Sequence, residues 1–304
     1  MNTFDLEALV ADGYIDIWID QTWGGAWNDL WAVERNGWTF QLAYQINHAL
    51  MIETANAKRS KPCKHYNIIA PLDAYEPWNI IHMDPNKLRW SIWAYNVAGI
   101  ITPKGIKHID GSVVAWCNSP QLELLTAEDV KLIAETADSA DLTAIKTEKI
   151  YGATSVFHRR MMDEINAKDP SSFNSEWIDE QSAMMMKWGI PCMSATRMEW
   201  LPQLDIDKRI WLFQTPGMLP EETINHIKGL SKSGCPQILI GRADKIDQAL
   251  MQQAGLKFKD SLIAMGDYLC FHDSPVETGL PRKTNVYLSE HKPVEAVDAS
   301  TLVR

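Results

Sequence analysis

The chain has little of what marks membrane-spanning and nucleic-acid-binding proteins. No apolar run reaches the ~18 residues that a membrane-spanning helix needs. Acidic residues outnumber basic ones, and the net charge of −10 has the wrong sign for binding a phosphate backbone. We therefore expect neither a membrane nor a nucleic acid as a partner.

Cysteine is also sparse, which argues against a disulfide framework. The five cysteines are odd in number and far apart, and no two of them have the C-x-x-C spacing of a zinc site. The acidic N-terminal segment lacks the basic start and the apolar stretch of a secretory signal. Together these observations predict a cytoplasmic protein with reduced, buried thiols.

Three sequence motifs of common enzyme classes are missing as well. No G-x-G-x-x-G follows the first predicted strand, no G-x-S-x-G is present, and no two histidines have the H-x-x-x-H spacing. We therefore expect no cofactor and no metal. An amidotransferase-like hydrolase is a weaker alternative, because Cys192 and Cys235 lack the strand–helix elbow and the nearby histidine that a nucleophilic cysteine needs.

What the chain does contain is tryptophan, 13 residues of it, unevenly distributed. The first part of the chain holds Trp18, Trp23, Trp27, Trp31, Trp38, Trp78, Trp90, Trp93 and Trp116. Several of these follow the end of a predicted strand and alternate with carboxylates and amides. Flat aromatic faces beside such groups suit a sugar, which stacks through its C–H face and hydrogen-bonds through its hydroxyls. Filling of a core by tryptophan is the alternative reading.

Three strand–loop–helix units follow one another in this first part. Residue patterns predict strands at 14–20, 65–72 and 112–117, helices at 38–58 and 84–100, and a further helix that begins at Thr126. Each unit places its polar and aromatic residues after the C-terminal end of the strand, where a (β/α)-barrel builds its active site. Three units are too few to close such a barrel, so we expect the chain to enter one partway through.

A second domain is predicted from about residue 143. Strands at 144–151, 191–195, 209–213 and 237–241 alternate with helices at 155–166, 176–188, 220–230 and 244–254. This alternation is typical of a parallel, doubly wound sheet. Residues 275–304 contain proline and are polar, with short β-like pieces.

The order of these parts resembles retaining glycoside hydrolases in which a TIM barrel precedes a glutamine-amidotransferase-like, flavodoxin-like domain, and the β-galactosidases of family 42 are the nearest. The resemblance rests on Ile210-Trp-Leu-Phe-Gln-Thr-Pro-Gly-Met-Leu-Pro, a helix, and Ser231-Lys-Ser-Gly-Cys-Pro-Gln-Ile-Leu-Ile-Gly-Arg. It implies an α/β protein with a partial (β/α)8 TIM barrel, its last three βα units, over 1–142. It further implies the amidotransferase-like domain over 143–274, and a linker or the start of a small β domain over 275–304.

The resemblance also implies an activity and an assembly. The expected reaction is hydrolysis of a β-linked galactoside or a related oligosaccharide by a retaining two-carboxylate mechanism. Glu76, in Asp73-Ala-Tyr-Glu-Pro-Trp, matches the family's nucleophile at the end of the seventh strand. The family's acid/base glutamate has no counterpart here, so we expect a piece of a larger enzyme that is poorly active or inactive by itself. A homo-oligomer, trimer or dimer, is expected through the second domain.

Substrate contacts are expected from Asp20, Gln21, Trp23, Trp27, Asp73, Trp78 and Trp116. Structural alternatives stay open: Glu76 as a solvent-facing or helix-capping carboxylate, Asp20 as a turn residue, and Trp116 as barrel core. Trp90 and Trp93 share helical spacing with Leu88 and Ile92, which predicts packing. A non-catalytic carbohydrate-binding or scaffold protein that uses the same loops is the alternative function.

Overall fold

The computed structural model describes most of the first two thirds of the chain and short segments beyond them. The described residues are 5–21, 37–73, 78–115, 125–159, 182, 185–186, 189–204, 209–214, 221–232, 236–240, 256–258, 268–270, 283–285 and 294–296. The chain divides into two compact units, residues 1–214 with 235–238, and residues 215–234 with 239–304.

The first unit contains helices and strands in mixed order. In chain order they are α1 (Leu6–Ala11), β1 (Ile17–Asp20), α2 (Gly37–Asn56), β2 (Lys64–Ile69), β3 (Leu72–Asp73), β4 (Trp78–Asn79), α3 (Ile80–Met83), α4 (Pro85–Val97), β5 (Gly99–Thr102), β6 (Gly105–Lys107), β7 (Gly111–Val114), α5 (Ala127–Lys146), β8 (Ala153–Phe157), β9 (Ser194–Arg197), a 3-10 helix (Met198–Gln203) and β10 (Ile210–Gln214).

The first sheet has three parallel strands that lie side by side in chain order, β1, β2 and β7. Helices α2 and α4 occur in the two connections between these strands, as strand–helix–strand units require. Along β2, exposed Lys64 is followed by buried residues at every second position, His65, Asn67 and Ile69. This period of two places the three side chains on one face of the sheet.

Capping residues fix where two of the helices begin. The side chain of Asp84 accepts a hydrogen bond from the Lys87 backbone N–H, and Pro85 occupies the first turn of α4. Thr126 and Asp129 form a reciprocal capping box at the start of α5, because each side chain bonds the other residue's backbone N–H. Both caps are at the positions that the sequence predicts.

The second sheet has six strands in the order β11-β10-β8-β9-β5-β6, where β11 is Gln237–Ile240. Strands β10, β8, β9 and β5 are parallel neighbours, and β6 pairs antiparallel with β5. The hairpin of β5 and β6 therefore joins strands that come from beyond residue 143. The α/β class is confirmed by these parallel sheets, whereas the barrel, the doubly wound domain and the boundary at 142/143 stay predictions.

The predicted secondary structure is wrong around residues 144–157. The expected strand at 144–151 is the end of α5, which continues to Lys146, followed by residues without regular structure. The strand comes later, at Ala153–Phe157, where a helix was expected to begin. All five residues of this strand are buried, so it shows no alternation of polar and apolar residues that would mark a strand.

A cluster of buried apolar side chains lies between β2 and helices α3, α4 and α5. It comprises Ile69, Ala70, Ile80, Ile81, Leu88, Ile92 and Ile133. Leu88 and Ile92 are one helical turn apart on α4 and fully buried. Each contributes about 1.5–3 kcal/mol through removal of its side chain from water.

The sequence predicts that Trp90 and Trp93 on α4 pack against the core. This prediction is wrong for Trp90 and only partly right for Trp93. Trp90 is 70% exposed and Trp93 is 36% exposed, because α4 turns its other face to the core.

The second unit is described only in part. Helix α6 (Glu221–Lys232) buries Ile224, Ile227 and Leu230 at intervals of one helical turn. Strands β12 (Leu256–Phe258) and β15 (Val294–Ala296) pair antiparallel, as do β13 (Tyr268–Cys270) and β14 (Lys283–Asn285).

Candidate functional site

The C-terminal ends of three neighbouring strands lie along one edge of the first sheet. Register pairs Asp20 of β1 with Asn67 of β2, and Ile69 of β2 with Val114 of β7. Because the strands are parallel, the segments that follow them leave the sheet at the same edge. These segments carry every residue that the sequence analysis assigns to the sugar site, apart from Asp20 itself.

The structure describes only some of the predicted site residues. Gln21 directly follows β1 and is exposed. Asp73 and Trp78 pair with each other across the short β3–β4 hairpin, and their side chains lie outside the described part. Outside the described residues altogether are Trp23, Trp27, Glu76 and Trp116. Their roles stay predictions.

The candidate nucleophile, Glu76, belongs to the segment that joins the two strands of the β3–β4 hairpin. Leu72 pairs with Asn79, and the Ile81 N–H donates to the carbonyl of Pro71 at 3.2 Å. Residues 74–77, which include Glu76, connect the two short strands. The nucleophile candidate is therefore part of a connection of four residues whose two ends are paired to each other.

Asp20, by contrast, is fully described and is almost completely buried, with 2% of its surface exposed. One carboxylate oxygen accepts from Nδ1 of His48 at 2.6 Å and from Nε1 of Trp18 at 2.7 Å. The other oxygen accepts from Nε2 of His65 at 2.6 Å. An ionised carboxylate only accepts hydrogen bonds, so Nδ1 of His48 and Nε2 of His65 are the nitrogens that carry a hydrogen. We call these four residues the Asp20 cluster.

Electrostatics favour the ionised form of Asp20 within this cluster. Burial by itself raises the pKa of a carboxyl group, and this is the largest single effect on Asp20. His48 and then His65 act in the opposite direction by charge and by hydrogen bonding. Their combined effect holds the pKa of Asp20 below its ordinary value. The same negative charge adds to burial in raising the pKa of Tyr95.

The Asp20 cluster joins three elements of the first unit. Trp18 and Asp20 belong to β1, His48 to α2, and His65 to β2. An aromatic contact between β1 and α2 adds to these hydrogen bonds, since the rings of Trp18 and His48 meet edge to face with their centroids 5.3 Å apart. Both carboxylate oxygens are hydrogen-bonded and shielded from solvent, so Asp20 holds the end of β1 in place, and exposed Gln21 follows it directly.

A second buried polar link connects β2, β7, α4 and α5. Asn96 accepts from Oγ of Ser112 at 2.9 Å and from Nδ2 of Asn67 at 3.4 Å. Its own amide donates to Asp141 at 2.8 Å. These bonds satisfy both polar atoms of the buried Asn96 amide, which would otherwise be costly to bury, whereas Oδ1 of Asn67 has no partner among the described residues. They fix the register of β2 against β7, just behind the ends of both strands.

Sequence reasoning missed the two histidines of the Asp20 cluster. His48 and His65 are 28 and 45 residues from Asp20 along the chain, so no local spacing relates them. One signal was available: His48 shares a helical face with Tyr44 and Ile52, and a histidine within a buried stripe needs a polar partner. The ring of Tyr44 packs against the ring of His48, with the two centroids 4.0 Å apart.

Two further classes of site find no support within the described part of the chain. No group of three or more histidine, cysteine, aspartate or glutamate side chains is arranged there to hold a metal ion. Among the helices described, none combines the length and the apolar character needed to cross a bilayer. Cys63 and Cys192 are buried free thiols.

Comparison with known proteins gives little beyond this. No family model matches the chain, and no curated protein matches it in sequence. A solved structure of the GH42 β-galactosidase Gan42B is similar at a TM-score of 0.40 and 10% identity, covering 96% of this chain and 55% of the other. The chain thus spans about half the length of that protein. A likeness at this TM-score is too weak to carry a fold or a function, so both rest on this chain's own residues.

Proposed function

We propose that the chain forms part of a retaining glycoside hydrolase that acts on a β-linked galactoside or a related oligosaccharide. The observation that carries the proposal is the parallel, sequential order of β1, β2 and β7. In this order, the described residues that follow the three strands, which begin at Gln21, Ala70 and Ala115, leave the sheet at one edge. The chain after them contains Trp23, Glu76 and Trp116, and the proposal is that these rings and carboxylates meet there in a sugar site.

The proposed roles follow the chemistry of retaining hydrolysis. Glu76 attacks the anomeric carbon as the glycosidic C–O bond breaks, so that a glycosyl ester forms and the leaving-group oxygen departs with a proton from an acid residue outside this chain. Water then hydrolyses the ester, which releases the sugar and restores the carboxylate. Trp23, Trp27, Trp78 and Trp116 provide faces on which sugar rings stack. Gln21 and Asp73 bind hydroxyl groups through hydrogen bonds.

The burial of its carboxylate supports a role for Asp20 that differs from the sugar contact predicted from the sequence. We assign it as a positioning residue that holds the end of β1, and with it the start of the following loop, against α2 and β2.

A mechanism-based label tests the nucleophile directly. A dinitrophenyl 2-deoxy-2-fluoro-β-galactoside has a leaving group that departs without protonation, so the covalent step needs no acid/base residue. The fluorine slows hydrolysis of the ester, so the labelled protein accumulates. We expect intact-mass spectrometry to show one added fluorosugar, and peptide mapping to locate it on Glu76.

Two variants make this test specific. Glu76→Gln should abolish labelling, while Glu135→Gln, an exposed glutamate on α5, should label like the parent. Failure of the parent to label, or equal labelling of Glu76→Gln, contradicts the proposal. Binding of galacto-oligosaccharides without any label would favour the alternative, a non-catalytic carbohydrate-binding protein.

A further inference from the structure

Helix α4 exposes two large aromatic side chains on the face opposite its buried residues. Trp90 is 70% exposed, Trp93 is 36% exposed, and their rings meet at 77° with centroids 6.5 Å apart. On the opposite face of the same helix, Leu88 and Ile92 are fully buried. Leu88 and Ile92 therefore hold the helix against the core, and the tryptophans are not needed for this. Burial of the two tryptophans would require a ligand.

The two tryptophans line a groove between α4 and α5, which we call the α4–α5 groove. Its volume is about 720 Å³, within the range of ~300–1,000 Å³ typical of small-molecule sites. Leu132, which packs against the apolar core, contributes to its lining. The groove is thus concave, is lined by two well-anchored helices, and is large enough for a short chain of sugar units.

Charged side chains around the groove balance one another. Arg89 and Lys131 contribute two positive charges, and Glu128 and Glu135 contribute two negative ones. Lys131 and Glu135 are 3.7 Å apart and about 70% exposed, so their ion pair is weak and open to exchange with other partners. A groove with no net charge and with both donors and acceptors suits a neutral, polyhydroxylated ligand.

Other occupants fit this lining less well. A lipid chain would leave the charged side chains beside apolar surface without partners. A nucleic acid meets the glutamates here and a net charge of −10 overall. A second copy of the chain would have to pack around four ionised side chains, whereas the centres of protein interfaces are depleted of charge.

We propose that the α4–α5 groove is a binding site for neutral oligosaccharide, with Trp90 as the main stacking surface and Trp93 as a side wall. This site is separate from the strand-end loops that hold Glu76, and it does not depend on hydrolytic activity. A perpendicular pair of indoles offers one sugar ring a face to stack on and an edge to abut.

Native affinity electrophoresis tests the proposal, with linear β-1,4-galactan and hydroxyethyl cellulose as the two probes in the gel. We expect at least one of them to retard the parent chain. Trp90→Ala should weaken that binding by about tenfold, the loss expected for one stacked aromatic contact. Since Trp90 is largely exposed, this substitution removes no core packing.

A control variant outside both proposed sites defines the result. Tyr151 is 78% exposed and lies outside the groove, so Tyr151→Ala should be retarded like the parent.

Two results would overturn the proposal. They are no retardation of the parent by either polysaccharide, or equal retardation of the parent and Trp90→Ala. Sedimentation of the parent as a dimer and of Trp90→Ala as a monomer, without polysaccharide binding, would instead identify the groove as an interface between copies.

Discussion

Replacing Asp20 by asparagine removes the charge from a site that three side chains face. The amide keeps one acceptor oxygen and presents an N–H₂ group to a donor nitrogen, so one of the 2.6 Å contacts to His48 or His65 becomes donor against donor. A buried donor left without an acceptor costs about 1–3 kcal/mol, and more where the lost partner is charged. Because a domain is stable by only ~5–15 kcal/mol, this is a large share of the total.

The assay is urea unfolding followed by far-ultraviolet circular dichroism at neutral pH. Asp20→Asn should move the unfolding midpoint to much lower urea. The matched control is Asp16→Asn, since Asp16 also accepts from two basic side chains, Arg59 at 2.7 Å and Lys61 at 2.9 Å, but is half exposed. We expect a far smaller shift for Asp16→Asn, because exposed ion pairs are screened by water. Equal shifts for the two variants would refute the reasoning that burial makes the Asp20 cluster strong.

Three further predictions concern stability. Because the folded pKa of Asp20 is lowered, its contribution to stability is present above the unfolded pKa of about 3.9 and is lost as the pH falls from there through the lower folded pKa, so the urea midpoint of the parent should fall steadily below about pH 4. Thr126→Ala removes the cap of α5 and should cost about 1 kcal/mol in urea unfolding, whereas Thr126→Ser, which keeps the hydroxyl, should cost little. Gly152 has φ +106° and an added Cβ would lie 2.4 Å from the carbonyl oxygen of Pro191, so Gly152→Ala should lower the melting temperature by several degrees, while Gly13→Ala, strained in φ but with open space around it, should lower it less.

Local patterns in the sequence predict much of the first sheet and its helices. Alternation along 64–69 marks β2, and the caps at Asp84 and Thr126 mark the starts of α4 and α5. These features depend on residues close together in the chain, which is why sequence reasoning finds them. The same reasoning fails at β8, where burial on all sides removes the alternation that identifies a strand.

Long-range arrangements account for the rest. The Asp20 cluster depends on three elements meeting, and β5 pairs with β9 although Gly99 and Ser194 are far apart in sequence. The exposure of Trp90 follows from which face of α4 the core takes, not from its helical spacing. Of the candidate sugar site, the sequence names the residues, and the structure adds that three of their segments leave one sheet edge together.

The most direct test of this account is a crystal structure of the chain soaked with a galacto-oligosaccharide. We expect a sugar ring at the carboxyl edge of β1, β2 and β7, with a carboxylate oxygen of Glu76 about 3–3.5 Å from the anomeric carbon and a tryptophan face against the ring. A sugar bound elsewhere, or Glu76 turned away from the segments that follow β1 and β7, would contradict it.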